Sequence, residues 1–142
     1  DQSGSKGVGV IGMCLTGNFA IQLIGDESVL AAVASQPAMP FFNQGALHMS
    51  PADVDRSRNA LDSKGPMRIL RFEGDPLCTK EKSECIHRTF NNDGIQRVEE
   101  ITLPGKGHSV LTLDFVDEAG HPTRVALDNV IQYFDRKLKI FA

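Results

Sequence analysis

The sequence has no tryptophan and one tyrosine, and aromatic residues make up only 6% of its 142 positions. That is too few for a stacking platform that reads single-stranded nucleic acid. Positive charge is also scarce: 15 Lys and Arg stand against 18 Asp and Glu, a formal net charge of -3, with no basic cluster. Neither nucleic acid nor an anionic membrane surface is therefore expected as the main partner. No apolar run approaches the length that spans a bilayer, and Asp1-Gln2-Ser3-Gly4-Ser5-Lys6 has no apolar signal region. The three cysteines, Cys14, Cys78 and Cys85, are an odd and sparse set. They do not read as a disulfide framework, and a reducing, cytoplasmic setting is expected. Cys78 and Cys85 are too far apart for a C-x-x-C zinc knuckle, and His87 does not mend the spacing, so no metal ligand set is expected.

What remains is an ordinary globular composition, 41% hydrophobic and 23% charged, enough for one domain with a real core. Strand-like and helix-like segments alternate, which predicts an α/β fold, mainly a parallel sheet with flanking helices. Val8 to Ile11, Val29 to Ala34 and Met67 to Phe72 read as buried strands. Ile95 to Leu103, which mixes Arg97, Glu99 and Glu100 with apolar residues, reads as an edge strand. Helices are predicted from Leu15 to Ile24, from Ser50-Pro51 to about Leu61, from about Thr79 to Asn91, and, as the last element, from near Pro122. Phe19, Ala20, Ile21, Leu23 and Ile24 are apolar on more than one face, so the first helix is expected to be deeply buried. In the last helix, Leu127, Val130, Ile131, Phe134 and Leu138 fall at the spacing of one buried face.

Each chemically suggestive residue follows a strand, where open α/β sheets place their sites. Gly12-Met13-Cys14-Leu15-Thr16-Gly17 lies between a strand and a helix, the arrangement of a nucleophile elbow with Cys in the usual Ser position. Small neighbours are required because the turn is sharp. The helix N-terminus adds N–H groups and a positive dipole end, which favour a thiolate and a developing oxyanion. A lone cysteine is more often a small buried hydrophobe; the flanking Gly12 and Gly17 favour the nucleophile. Glu73-Gly74-Asp75-Pro76 follows the third strand, and Asp75 is the candidate orienting acid, with Asp114 and Asp117 as fallbacks. Gly105-Lys106-Gly107-His108-Ser109 follows the fourth strand and presents His108. His87 falls inside a helix, His121 at a helix start where a capping role fits, and His48 in a loop without a supporting pattern. Cys14, Asp75 and His108 keep the order nucleophile, acid, base of the α/β-hydrolases.

The run Val8-Gly9-Val10-Ile11-Gly12-Met13-Cys14-Leu15-Thr16-Gly17-Asn18-Phe19-Ala20 resembles the elbow of the dienelactone hydrolase family. Gly74-Asp75 and Gly107-His108-Ser109 fall where that family places its acid and base. Ser35-Gln36-Pro37-Ala38-Met39-Pro40 also resembles one of its segments. The resemblance runs from about Val8 to Leu138 and implies the second half of an α/β-hydrolase fold. Residues 1–142 would then be a single partial domain starting at the nucleophile strand. It implies a carboxylic ester or lactone as small-molecule substrate, a Cys-His-Asp triad, an acyl-thioester intermediate and no cofactor. Thr16 departs from the family, whose better-known members have Gly there.

The family's earlier strands carry a second oxyanion donor, so only the backbone N–H of Leu15 is expected to serve here. Without them, one edge of the nucleophile strand would lack a neighbour. A partner chain, or the missing N-terminal half, is expected along that open edge. Gln36, Met39, Phe41 and Phe42 in the long loop, with Val110 and Leu111 after His108, are candidates to line the substrate pocket. Two other readings remain. One is a cysteine amidase, peptidase or glyoxalase on a related sheet; such enzymes commonly place His directly after the cysteine, where Leu15 stands. The other is a half-domain that serves as an interaction module through its open edge.

Overall fold

The computed structural model describes residues 6–39, 41 and 43–140. Strands β1 (Val8–Met13), β2 (Val29–Ser35), β3 (Met67–Phe72) and β4 (Val98–Leu103) alternate with helices α1 (Leu15–Leu23), α2 (Pro51–Lys64), α3 (Lys80–Phe90) and α4 (Pro122–Ile140). The four strands form one sheet in the order β1-β2-β3-β4, every pair parallel. The expected α/β class, a parallel sheet with flanking helices, is what the chain forms.

Two apolar clusters sandwich the sheet, and strand periodicity sorts residues between them. Ala32 and Ala34 of β2 and Met67 and Ile69 of β3 join Ile21, Ile24, Leu61, Ile86 and Phe90 on the face covered by α1, α2 and α3. Ala31, Val33, Leu70 and Phe72 join Leu103, Ala126, Val130 and Tyr133 on the α4 face. Strand β2 is buried throughout, which explains its run of small and β-branched residues.

The chain ends of the helices follow local chemistry. Ser50 caps α2, its hydroxyl accepting the Asp53 N–H at 3.2 Å, and Thr79 caps α3 in the same way toward Lys82. Helix α2 runs three residues beyond the expected end at Leu61, to Lys64, where Gly65 adopts a positive φ of 77°.

Three expectations need correction. The fourth strand starts at Val98 rather than Ile95, because Asn91 Oδ1 accepts the N–H groups of Arg97 and Val98 at 2.9 and 3.0 Å and holds 91–97 as a turn. The first helix is not buried all round: Phe19 is 51% exposed and Leu23 47%, on the side of α1 that carries Leu15. In α4, Ile131 is 56% exposed; the buried face runs through Thr123, Ala126, Val130 and Tyr133 instead. The misplaced residues share a cause. An apolar side chain reads as core in a sequence, and the sequence does not say that the neighbouring surface is open.

Candidate active site

The C-terminal ends of the four parallel strands lie on one side of the sheet, and Cys14, Gln36, Asp75 and His108 all follow a strand there. Cys14 sits between β1 and α1 with φ 53° and ψ -119°, a conformation that costs an L-residue on the order of 1–3 kcal/mol. The surroundings enforce it. Cys14 N–H donates to Ser35 O at 3.1 Å, and Cys14 O accepts from the N–H groups of Gly17 and Ala38, both at 3.0 Å. A Cβ on Gly12 would lie 2.1 Å from Thr16 O, so only glycine permits this crossing. Thr16 tightens the turn: its hydroxyl accepts the Met13 N–H at 2.9 Å and donates to Met13 O at 2.8 Å. Leu15 is the first residue of α1. Its N–H has no acceptor among the described residues, which leaves it available to an oxyanion.

Asp75 and His108 are in direct contact. His108 Nδ1 lies 2.9 Å from Asp75 Oδ1 and 2.8 Å from Oδ2. The Asp75 side chain is fully buried and that of His108 is 20% exposed. Asp75 Oδ1 also accepts the N–H groups of Leu77 and Cys78 at 2.8 and 2.9 Å. A carboxylate so placed fixes the proton of His108 on Nδ1. Nε2 is then a bare acceptor, and it is buried with no hydrogen-bond partner. A buried acceptor left unpaired calls for an explanation, and a role in proton transfer is one.

The fallback acids have other work. Asp114 Oδ2 accepts the backbone N–H groups of His108 and Ser109 at 2.9 and 2.8 Å. Those two bonds hold its carboxyl below the usual range and lock the loop that carries the base. Asp117 pairs with Arg124. His121 accepts the Thr123 N–H at 3.3 Å at the start of α4, the capping role its position suggested. His87 is a Glu100 partner at 3.2 Å, and His48 Nε2 lies 3.0 Å from Asn43 O.

The structure thus brings Asp75 and His108 into hydrogen-bonding contact and sets Cys14 at the same end of the sheet. No hydrogen bond joins Cys14 to His108. The expected pocket residues divide. Met39 is half-buried and Phe41 is exposed in the loop after β2, and Phe42 lies outside the described residues. Gln36 is 2% exposed and its side chain accepts from the Ser35 hydroxyl, while Val110 is packed in the core beneath the base loop with Leu111 against it. Gln36 and Val110 therefore offer no surface to a ligand in this arrangement. Among the described residues, no group of His, Cys, Asp and Glu could hold a metal ion, and no helix is long and apolar enough to cross a membrane.

Some supporting residues escaped sequence reasoning. Asn18 Nδ2 donates to Ala38 O at 2.8 Å and seats the segment after β2 on the elbow. Lys82 is fully buried and its Nζ donates to Ala46 O at 2.5 Å, tying the long loop to α3. Arg71 is a buried charge in a strand, Met67–Phe72, that otherwise carries only Arg68 among apolar residues, and that pattern was a legible signal.

Comparison with known proteins bears on the fold and the family. No curated protein matches the chain. Among solved structures, it superposes on a candidate dienelactone hydrolase from Klebsiella pneumoniae subsp. pneumoniae MGH 78578 with a TM-score of 0.64 and 14% identity, a likeness of fold. The match covers 89% of this chain and 50% of that one, so this chain spans about half the length of its neighbour. The sequence model of the dienelactone hydrolase family matches residues 1–137, nearly the whole length, and the chain accordingly belongs to the dienelactone hydrolase family.

Proposed function

We propose that the chain is the catalytic part of a carboxylic ester or lactone hydrolase with Cys14 as nucleophile, His108 as base and acid, and Asp75 as orienting carboxylate. The observation that carries this reading is the Asp75–His108 pair, whose bare, buried Nε2 lies on the same side of the sheet as a cysteine in strained elbow geometry.

The proposed reaction has two halves. The Cys14 sulfur forms a bond to the substrate carbonyl carbon as its proton passes to His108 Nε2. The carbonyl π electrons move to oxygen, where the Leu15 N–H stabilises them. Collapse breaks the carbon–oxygen bond of the ester, the alkoxide takes the proton from Nε2, and an acyl thioester remains. Water then loses a proton to Nε2 as it attacks the thioester, the carbon–sulfur bond breaks as Nε2 returns that proton to the sulfur, and the Cys14 thiol is regenerated with a carboxylic acid as product. Asp75 keeps Nδ1–H in place throughout and balances the imidazolium. Met39 and Phe41 are the loop residues proposed to meet the substrate. Three free thiols suit a reducing compartment such as the cytoplasm.

The open edge of β1 supports a second element of the proposal. Val8 is 53% exposed and Ile11 43%, and Leu15, Phe19 and Leu23 line the adjacent side of α1. We take this surface as the seat of further strands of the fold, in the same polypeptide or a partner, which would bring a second oxyanion donor. The same surface favours the alternative reading of an interaction module without turnover.

A small activated ester separates the two. Acyl label located by peptide mass is expected on Cys14 in excess over Cys78 and Cys85, and is expected to vanish in His108→Ala. Cys78 is an internal control, since burial, then the Asp75 charge, push its thiol up to about 12. Labelling that is equal on the three thiols, or absent, would count against a catalytic site assembled in this chain and favour the module.

A further inference from the structure

Arg71 lies near the end of β3, is 5% exposed, and plays no part in the chemistry above. Its guanidinium grips both ends of the turn that carries the acid. Nε donates to Cys78 O at 3.2 Å and Nη2 donates to Glu73 O at 3.0 Å, two carbonyls that bracket Asp75. Nη1 faces Glu100 Oε1 at 3.6 Å across the sheet. Glu100 is itself held: Ser83 and Thr102 donate their hydroxyls to it and His87 Nε2 lies 3.2 Å away. Asn91 fixes the His87 tautomer. Its Oδ1 accepts two backbone N–H groups, so its Nδ2 faces His87 Nδ1 at 3.1 Å and Nε2 carries the proton toward Glu100.

A buried ion pair of this kind adds little stability over well-packed apolar side chains. Its value here is geometric. Arg71 holds the carbonyl of Cys78, the Cys78 N–H holds Asp75, and Asp75 holds the His108 ring. The residues form one continuous line from Glu100 on β4 to the base.

We propose that Arg71, backed by Glu100, is a positioning residue for the acid of the triad: it sets the span of the 73–78 turn so that the Asp75 carboxylate meets His108 Nδ1. The inference rests on the hydrolase reading for its catalytic consequence. Its structural part is independent of that reading.

Arg71→Lys tests it. Lysine keeps a cation beside Glu100 but is a point charge that lacks the planar fork needed to reach both carbonyls. Two readouts apply. One is the low-field proton NMR resonance of the Asp75-bonded His108 Nδ1–H, identified by its absence in His108→Ala. The other is ester turnover, separated into kcat and KM. In folded Arg71→Lys the resonance is expected to broaden or vanish, and kcat to fall by about 10- to 100-fold at unchanged KM. A folded variant with the resonance and kcat of the wild type would overturn the proposal and reduce Arg71 to a fold-stabilising cation. If Arg71→Lys does not fold, Glu100→Gln decides: loss of the resonance in that folded variant supports the clamp, and full retention overturns it. Wild-type protein with the resonance but no acylation of Cys14 would sink the hydrolase reading and leave the clamp standing. Wild-type turnover matched by Arg71→Lys would do the reverse.

Discussion

The two edges of the sheet are built on different principles. Strand β4 carries two adjacent acids that are both held: Glu99 pairs with Arg68, and Glu100 sits in a network with Arg71, Ser83, His87 and Thr102. Charged residues on an edge discourage another strand from pairing there. Strand β1, Val-Gly-Val-Ile-Gly-Met, carries no charge and leaves Val8 and Ile11 exposed. One edge is finished by charge; the other, among the described residues, is open and apolar. The residues proposed for catalysis divide the same way. Acid and base stand on the finished side, cross-linked by backbone bonds such as Gly74 N–H to Gly105 O at 2.9 Å. Cys14 stands on the open side, beside the first-turn N–H of Leu15 and the exposed face of α1.

The largest test of that division is chemical. If the finished side already supplies a working acid–base pair, Asp75→Asn is expected to lower the rate of Cys14 acylation by about 10³- to 10⁴-fold, because Asn favours the wrong His108 tautomer. The fold should persist, since Asn Oδ1 can still accept the Leu77 and Cys78 N–H groups. An unchanged acylation rate would mean that the pair does not act on Cys14. Next in size are the glycines. Gly12→Ala sets a Cβ against backbone atoms of Thr16 and Gly17, whereas the atoms nearest a Cβ on Gly107 belong to the Phe72 ring, the first at 2.7 Å. A ring can shift and the elbow backbone cannot. Gly12→Ala is expected to cost about 1–3 kcal/mol in denaturant unfolding, and more than Gly107→Ala. The reverse order would show that the elbow yields more readily than the finished side.

The same division decides what was legible in the sequence. Gly12-Met13-Cys14 was readable because a sharp strand-to-helix turn demands glycine at a fixed offset, and Asp75 and His108 because each follows a strand in a fixed order. Asp114 was readable only as a carboxylate near the site. Its actual bonds, to the backbone of His108 and Ser109, depend on how the loop returns on itself. Gln36 and Val110 lie beside the site in the chain yet turn inward, a distinction that sequence position does not carry. Ile131, Phe19 and Leu23 obeyed their periodicity but met open surface. Periodicity reports that a residue is apolar, and burial also needs the neighbour that covers it.

Glu100 supplies a smaller, pH-dependent test of the finished edge. Burial works to raise its carboxyl, but the bonds from His87, Ser83 and Thr102 outweigh that and bring it down to about 2, from 4.5. A carboxyl depressed in the folded state stabilises the fold fully above its unfolded value, and that contribution is lost as pH falls toward the folded one. Wild type is therefore expected to lose on the order of 1–2 kcal/mol between about pH 5 and pH 2 that Glu100→Gln does not lose, the ideal linkage being discounted for solvent access. Thermal unfolding of both proteins across that window gives the difference directly. Parallel curves would show that the network does not hold Glu100 ionised.

The smallest effect on stability falls on the open edge, where the effect on association should be largest. Val8 and Cys14 donate their N–H groups to Ser28 O and Ser35 O, so even-numbered residues of β1 aim their peptide groups at β2 and odd-numbered ones aim away. Of the outward groups, those of Met13 are already taken by the Thr16 hydroxyl. The stretch open to a new strand is therefore centred on Gly9 and Ile11. A lysine at Ile11 would place a charge in the middle of it. Since Ile11 is 43% exposed, Ile11→Lys is expected to change unfolding free energy by no more than about 0.5 kcal/mol. If the edge takes up a second chain, wild type is expected to self-associate in a concentration-dependent way by sedimentation, and Ile11→Lys to abolish it. Thr102→Lys, on the exposed part of β4, should leave association as it was. Self-association that survives Ile11→Lys and yields to Thr102→Lys would invert the assignment of open and finished edges.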